Sequence, residues 1–187
     1  RKKTRAKERD KEKVEAAPAA ASAPPPEPDD AAAEDIAFTQ YTITIRPGIA
    51  YQPHPAFARD DNGNLLYHQL SEQQLDAVTT LADFAKQGSR ELQAQDYVYQ
   101  IKRLAHPQVH SPILGLMSEY IVGLREFSET LNQQAALGEA IDLRDFPLRG
   151  VKALDKYRYQ ITVYGQYPQL KYWLAMPFFA PSAWEVE

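Results

Sequence analysis

The sequence predicts a layered domain of the α/β (α+β) class, in which helices pack on a mixed sheet, over residues 36–187. In the run Tyr157–Tyr164, aromatic and aliphatic residues alternate with polar ones, which is the pattern of a half-buried strand. The corner Asp155-Lys156 joins this run to Val151–Leu154 and predicts a tight antiparallel hairpin. Strand-like and helix-like segments are interspersed along the chain, which favours a layered architecture.

Residues 1–35 are predicted to form a disordered arm or linker. Arg1–Glu15 carries eight basic and four acidic side chains, and Ala16–Asp35 is an alanine- and proline-rich tract that ends in acidic residues. Such a segment cannot bury enough apolar surface to offset the entropy of ordering it. The alternative is a basic arm for anionic lipid or nucleic acid, but nine acidic side chains offset the eight basic ones.

Order is predicted to begin near Ile36, with a strand that leads into a turn. Tyr41, Ile43 and Ile45 alternate with polar residues, so one face of this strand should be buried. Pro47-Gly48 ends the strand, because proline presets φ and glycine accepts a positive φ. Two prolines then hold Tyr51–Pro55 extended, and the run Asp60–Asn64 (DDNGN) is a turn signal.

Three helices are predicted between residues 71 and 131. Ser71 with Gln74 resembles a capping box, which indicates a short helix over Glu72–Thr80. A second helix over Ala94–Ala105 places Tyr97, Ile101 and Leu104 on one face, and the residue before Pro107 ends it. A third helix of about 20 residues should begin at Ser111-Pro112, with serine as the cap and proline in the first turn. Its apolar stripe comprises Ile113, Leu116, Met117, Tyr120, Ile121, Leu124, Phe127 and Leu131. Charged residues within it, such as Glu119 and Arg125, argue against a membrane span.

A short helix and a proline-punctuated exit follow the hairpin. Pro168 suits the first turn of a helix, Leu170, Trp173 and Leu174 give that helix an apolar face, and Pro177 and Pro181 stop it. Six aromatic residues lie along the second hairpin strand and this helix. Their spacing indicates packing in the core rather than contact with a ligand: Tyr157, Tyr159, Tyr164, Tyr167, Tyr172 and Trp173.

Composition excludes several classes of function. The chain has no cysteine, and therefore no disulfide framework, thiolate metal site or cysteine nucleophile. A net charge of −4 gives no field strong enough to indicate nucleic-acid binding. The sequence contains neither a signal peptide nor an uninterrupted apolar run long enough to cross a bilayer. Because the chain opens on Arg1, we expect it to be a fragment of a longer protein.

No catalytic site, metal site or cofactor is predicted, and we expect the protein not to be an enzyme. His106 and His110 have the spacing of helical metal ligands, but Pro107 lies between them and the HExxH pattern is absent. The serines lack a GxSxG setting, and no positioned acid–base pair is evident.

Three segments in order carry a resemblance to a known family. Tyr41–Gly48 reads YTITIRPG, Leu92–Pro107 reads LQAQDYVYQIKRLAHP, and Gly150–Glu187 supplies the hairpin, the short helix and the proline-rich exit. Together these segments, about a third of the chain, resemble the extracellular solute-binding proteins of family 5, the oligopeptide- and dipeptide-binding subunits of ABC importers. The chain departs from the family pattern at Tyr51–Phe57, at the long intervening stretch Ala58–Glu91, and at Gln93, where the family commonly has a threonine cap. The chain is therefore identified as a divergent branch.

The resemblance implies a part of the N-terminal lobe of a two-lobed periplasmic-binding-protein fold. It implies a protein of the periplasm, or of the outer face of the cytoplasmic membrane, that binds an oligopeptide or related small solute. The lobes would close around the solute and deliver it to the permease subunits of an ABC importer, without chemistry. No nucleic-acid partner is implied. Any membrane association would be peripheral or through a lipid anchor outside this chain. The alternative is an interaction or scaffold module without a transport role, built on the same fold.

Two proline-stiffened loops are the sequence candidates for the margin of a ligand cleft. The first is Tyr51–Pro55, with Tyr51 and His54, and the second is Met176–Pro181, with Phe178 and Phe179. Both loops carry aromatic or imidazole side chains, which offer apolar contact area. The prolines keep the backbone of both loops stiff. These four residues are the predicted ligand contacts.

Overall fold

The computed structural model describes residues 36–186, so the predicted arm, residues 1–35, lies outside the described residues. The described part is a mixed α/β fold. Its strands are β1 (Phe38–Thr44), β2 (Val151–Asp155) and β3 (Arg158–Tyr164). Its α-helices are α1 (Glu72–Asp76), α2 (Ala94–Arg103), α3 (Leu114–Tyr120), α4 (Leu124–Ala136) and α5 (Leu170–Trp173). Short 3₁₀ turns cover Pro55–Phe57, Leu81–Asp83, Pro177–Phe179 and Trp184–Val186.

The sheet has three strands in the order β1-β3-β2. Both pairings are antiparallel, so the prediction of a mixed sheet is wrong for the strands that the structure describes. β2 and β3 form the predicted hairpin, and the long connection through α1–α4 returns the chain so that β3 lies between the other two strands. β1 and β2 therefore run in the same direction, and within residues 36–186 each pairs with the strand between them.

The alternation in β1 and β3 buries one face of the sheet, as predicted. Tyr159, Ile161 and Val163 of β3 are buried, whereas the intervening residues are exposed or half-buried. β1 follows the same rhythm, with Tyr41 and Ile43 half-buried on the same side. The prediction of core packing is confirmed for Tyr159 and Tyr167 but is wrong for Tyr164 of β3 and Tyr172 of α5, which are exposed.

Helix α2 covers the buried face of the sheet. Its Tyr97 ring stacks on the Tyr159 ring, with 5.0 Å between centroids, and Ala94 N donates to Lys156 O at 2.8 Å. Ile101 and Leu104 are buried in the core, as their spacing predicts. The core continues through the apolar residues of α3 and α4, among them Met117, Ile121, Leu124 and Leu131.

The predicted long helix is wrong as a single element, because the chain breaks into α3 and α4 at residues 121–123. Ile121 bridges Val163 across the sheet, and Val122 N donates to Thr162 O at 3.0 Å. Gly123 then adopts φ +80°, a conformation that L side chains rarely take, and restarts the chain as α4. Ser111 caps neither helix: α3 begins after Ile113, and the buried Ser111 Oγ has no hydrogen-bond partner within residues 36–186. The apolar stripe is buried, but over two short helices.

The first predicted helix ends earlier than expected. The capping box is present, since Gln74 N donates to Ser71 Oγ and Ser71 N donates to Gln74 Oε1. The helix stops at Asp76 because Asp83 caps a new turn: its Oδ2 accepts from Thr79 N and Thr80 N at 2.9 and 2.7 Å. The structure contains no helix, within residues 36–186, that is both long and apolar enough to span a membrane.

Candidate functional site

The loop at Tyr51 and the C-terminal segment enclose a groove of about 430 Å³, called here the Tyr51 groove. It is lined by Tyr51, Gln52, Pro53, His54, Phe57, Leu81, Pro181, Ser182, Ala183 and Val186. Carbon-rich side chains dominate this lining, and polar groups come from the imidazole, an amide, a hydroxyl and the backbone.

The first wall is the extended loop that the prolines predict. Tyr51 N donates to Arg90 O at 3.0 Å, and His54 N donates to Gly88 O at 2.8 Å, so this loop pairs with the segment before α2. His54 also caps the 3₁₀ turn that follows, because its Nδ1 accepts from Ala56 N at 3.1 Å. The imidazole is therefore held in place by its Nδ1.

Gly88 lets this loop and its partner segment approach closely. A Cβ at this position would lie 2.2 Å from Phe57 O and 2.6 Å from Phe57 C. Real Cβ atoms do not approach backbone atoms so closely, so only glycine fits without a backbone shift. The position of the first wall thus depends on Gly88.

Behind this wall, Arg90 holds two carboxylates that are almost fully buried. Its Nε and Nη2 donate to Glu185 Oε1 and Oε2 at 2.6 and 2.7 Å, and its Nη1 and Nη2 donate to Asp96 Oδ2 and Oδ1 at 2.9 and 2.7 Å. The side chains of Asp96 and Glu185 are 4% and 2% exposed, and that of Arg90 is 19% exposed. These three residues, the Arg90 cluster, join the start of α2 to the C-terminal segment.

The Arg90 cluster also sets the electrostatics of the groove. Burial alone would lower the pKa of the Arg90 guanidinium, but its hydrogen bonds to Asp96 and Glu185 outweigh that effect and raise it. The guanidinium lies over the rings of Tyr51 and Phe57, 5.2 and 5.4 Å from their centroids. Burial raises the pKa of the Tyr51 hydroxyl, and the charge of Asp96 raises it further, so this phenol stays neutral.

The second wall is the C-terminal segment. Ser182 N donates to Asp96 O at 3.3 Å, and Trp184–Val186 forms a 3₁₀ turn whose Glu185 enters the Arg90 cluster. Val186 is left exposed beside the groove. Both walls are therefore tied to the start of α2.

The structure brings two of the four predicted ligand contacts together. Tyr51 and His54 lie in the Tyr51 groove. Phe178 and Phe179 do not line it: Phe179 is buried in the core, whereas Phe178 is exposed and its carbonyl accepts from Gln100 Nε2 at 2.9 Å. The second proline-stiffened loop still contributes to the groove, through Pro181 and the residues after it.

The groove has the composition of a small-molecule pocket. Such pockets are mostly apolar with a few placed polar groups, and about 430 Å³ is at the small end of their usual range. No group of three or more His, Asp or Glu residues within residues 36–186 is placed to hold a metal ion.

Other cavities are smaller or have a more polar lining. A cavity of about 490 Å³, lined among others by Arg59, Asn64, Gln69 and Trp184, is larger than the Tyr51 groove but more polar. One of about 320 Å³ lies beside Phe127 and Phe146, between Glu126 and Arg149, and one of about 180 Å³ lies between His68 and Trp184. In this last cavity, the Arg144 guanidinium covers the Trp184 ring at 3.8 Å and pairs with Asp142, so these two charged groups already have partners.

Sequence analysis missed Arg90, Leu81 and Val186. Arg90 stands in the run Gly88-Ser89-Arg90-Glu91, where nothing marks it, and its partner Glu185 lies 95 residues further along the chain. The only local signal was Asp96 in the first turn of α2, since an acidic residue there favours the positive helix end. A scan against protein-family models finds no family that matches the chain, and a search of curated proteins finds no significant match.

Proposed function

We propose that this chain is part of the N-terminal lobe of an extracytoplasmic solute-binding protein that delivers peptides, or a related small solute, to an ABC importer. The three segments that resemble family 5 carry the proposal, and the observation that supports it is their assembly into one core. Strand β1, in the first segment, pairs with β3, in the third segment. Helix α2, in the second segment, packs on the hairpin: Tyr97 stacks on Tyr159, and Ala94 N donates to Lys156 O in the hairpin turn.

The Arg90 cluster adds a second link between matched segments. Asp96 belongs to the second segment and Glu185 to the third, and one guanidinium bonds both. The proposed lobe requires these segments to form one structural unit, and their shared core and charge cluster meet that requirement.

The Tyr51 groove is the surface on which this lobe would contact solute. Its apolar lining and its small volume suit one or two side chains of a peptide, while a peptide backbone would be bound elsewhere. A second lobe closing over the groove would complete the site, as in hinged binding proteins. The binding component performs no chemistry in this scheme.

The test is peptide binding by the full chain, with a matched pair of exposed leucines. Leu81 lines the groove and is 55% exposed, whereas Leu75 does not line it and is 54% exposed. Leu81→Asp should weaken binding of an apolar peptide by about tenfold or more, because burying a leucine contributes about 1.5–3 kcal/mol. Leu75→Asp should leave it unchanged.

Binding is measured by calorimetry and by thermal shift across a library of tri- to pentapeptides, and native mass spectrometry of protein purified from its host detects co-purified peptides. Absence of any shift across the library, with a clean apo mass, counts against the proposal. An equal effect of the two aspartate variants would show that the groove is not the site.

The second candidate is an interaction module without a transport role. The observation that favours it is the exposure of Leu75 and Leu81 on the stretch between β1 and α2. In that case both leucines would contact a protein partner, and both aspartate variants would abolish its cross-linking while no peptide bound.

A further inference from the structure

The open edge of β1 is unusual in its composition. Between Asp35 and Arg46 the sequence reads IAFTQYTITI, without a charged residue, a proline or a glycine. Natural proteins protect open edges with charges, prolines, bulges or covering segments, because unpaired N–H and C=O groups recruit further strands. β1 has β3 on one side and no other strand of residues 36–186 on the opposite side.

The register shows which residues of β1 direct their backbone to the open edge. Gly165 N donates to Ala37 O at 2.9 Å, and Ile45 N donates to Tyr157 O at 2.8 Å. Both bonds involve odd positions of β1, and hydrogen-bonded positions alternate in an antiparallel pair. The even positions therefore point their N–H and C=O groups away from β3: Phe38, Gln40, Thr42 and Thr44.

The hairpin side of the sheet gives an independent check on this assignment. Thr162 N donates to Gly150 O at 2.7 Å, so even positions of β3 bond towards β2. Odd positions of β3 then bond towards β1, as the register requires. The side chains of the four even residues of β1 are all exposed, and no strand of residues 36–186 lies beside this edge.

We propose that the open edge of β1 is a self-association surface, on which a second copy of this chain pairs antiparallel, strand β1 to strand β1. This inference stands apart from the proposed function and does not depend on solute binding. Pairing centred on Tyr41 sets Gln40 of one copy opposite Thr42 of the other, and Phe38 opposite Thr44. The two three-stranded sheets then continue as one.

Self-pairing is favoured over pairing with a charged segment because the edge is chemically self-complementary. No like charges meet anywhere along Phe38–Thr44, and opposed like charges would destabilise a strand pair. Contacts between Gln and Thr side chains already occur on this face: Gln160 Nε2 donates to Thr42 Oγ1 and to Gln40 Oε1, each at 3.4 Å. The proposed pair repeats that contact across the interface.

The register makes a specific substitution available. Thr42→Pro removes an N–H that points to the open edge while leaving every bond between β1 and β3 in place. It should raise the dimer dissociation constant by about tenfold or more, since each copy loses one hydrogen bond. A double variant, Gln40→Lys with Thr42→Lys, sets lysines opposite each other and should abolish the dimer without using proline.

Two single variants supply the matched control: Thr42→Lys on β1 and Thr162→Lys on the central strand. Each adds one positive charge to the same face of the sheet, and only the first should weaken association. Circular dichroism of each variant establishes that it folds, and sedimentation velocity of the full chain, over about 1–100 µM, measures association. Hydrogen exchange completes the test, because the amides of Gln40 and Thr42 should become protected only in the dimer.

Several results would overturn the proposal. A full chain that stays monomeric over that concentration range contradicts self-pairing. This holds whether the amides of Gln40 and Thr42 exchange freely or are protected within one copy. A dimer that survives both Thr42→Pro and the double lysine variant also contradicts it. Protection of those amides in the monomer only after a peptide is added would assign the edge to an extended ligand, and would equally refute self-pairing.

Discussion

Removal of the Arg90 guanidinium gives the sharpest test of how this fold is held together. Arg90→Met keeps a long apolar side chain but deletes four charge-assisted hydrogen bonds, two to Asp96 and two to Glu185. Both carboxylates are almost fully buried, so water cannot readily replace the lost donors. The Asp96 carboxylate still accepts a hydrogen bond from Gln93 N at 2.9 Å, so its loss is partly compensated.

The expected cost follows from this geometry. Removing one partner of a buried ion pair destabilises a protein by about 3–5 kcal/mol, because an uncompensated charge remains inside. Arg90 itself is 19% exposed, so some water reaches the site and the lower end, about 3 kcal/mol, is expected. Adding Glu185→Gln should recover part of that loss, since a neutral amide costs less to bury than a carboxylate.

The measurement is urea unfolding of the full chain, with the free energy of unfolding taken by linear extrapolation. Arg158→Met is the matched control: Arg158 also pairs with a carboxylate, Asp155, but both side chains are exposed, so the expected cost is below about 1 kcal/mol. Equal costs for Arg90→Met and Arg158→Met would refute the reasoning. A double variant less stable than Arg90→Met alone would refute the assignment of the cost to a stranded carboxylate.

Two further predictions concern the segment before α2. Hydrogen bonds from Lys156, and then from Gly48 N and Tyr157, lower the pKa of Glu91 from its ordinary 4.5 to about 2. Because the folded-state pKa is the lower one, this contribution to stability is complete above about pH 4.5 and is lost as the pH falls towards 2. Glu91→Gln should flatten that part of the stability–pH profile, and an unchanged acid limb would contradict the assignment. Gly88→Ala should destabilise the fold by about 1–3 kcal/mol through the clash with Phe57 O, whereas Gly115→Ala, with open space around it inside α3, should stabilise it by about 0.5–1 kcal/mol in thermal unfolding.

The elements that could be predicted from the sequence are those that local chemistry decides. The alternation of Tyr159, Ile161 and Val163 predicted β3 to within a residue, because one face of that strand is buried. The Ser71 capping box and the Pro47-Gly48 turn are local in the same sense: the residues that form them lie within a few positions of each other. The start of α2 at Ala94 was likewise predicted.

The elements that could not be predicted depend on distant partners. The stripe through Ile121 and Leu124 has helical spacing on both sides of the break, yet Ile121 pairs with Val163, 42 positions away. The spacing of the apolar residues predicts which side chains are buried. One long helix or two short helices would bury the same side chains. Only the bridge to the sheet and the positive φ of Gly123 decide between them.

The same distinction applies to the candidate site. The prolines around Tyr51 and His54 predicted a stiff loop, and the structure places both residues in one groove. For Phe178 and Phe179 the sequence could not tell which adjacent ring faces the core, because a 3₁₀ turn directs them differently and tertiary packing buries Phe179. Arg90 was out of reach, because its role exists only once Glu185 is beside Asp96.

The Arg90 cluster gives the groove a defined shape at the expense of burying charge. Replacing a buried ion cluster by apolar side chains is often neutral or stabilising, so stability alone does not explain why Arg90, Asp96 and Glu185 are charged. Their geometry is directional, however: two bidentate pairs fix the C-terminal segment relative to α2, and the guanidinium plane fixes the ring of Tyr51. We propose that an apolar cluster of equal volume would hold the segment against α2 with less directional constraint. Under the proposed solute-binding role, the directional bonds of Arg90 would keep the groove in the same shape for each solute.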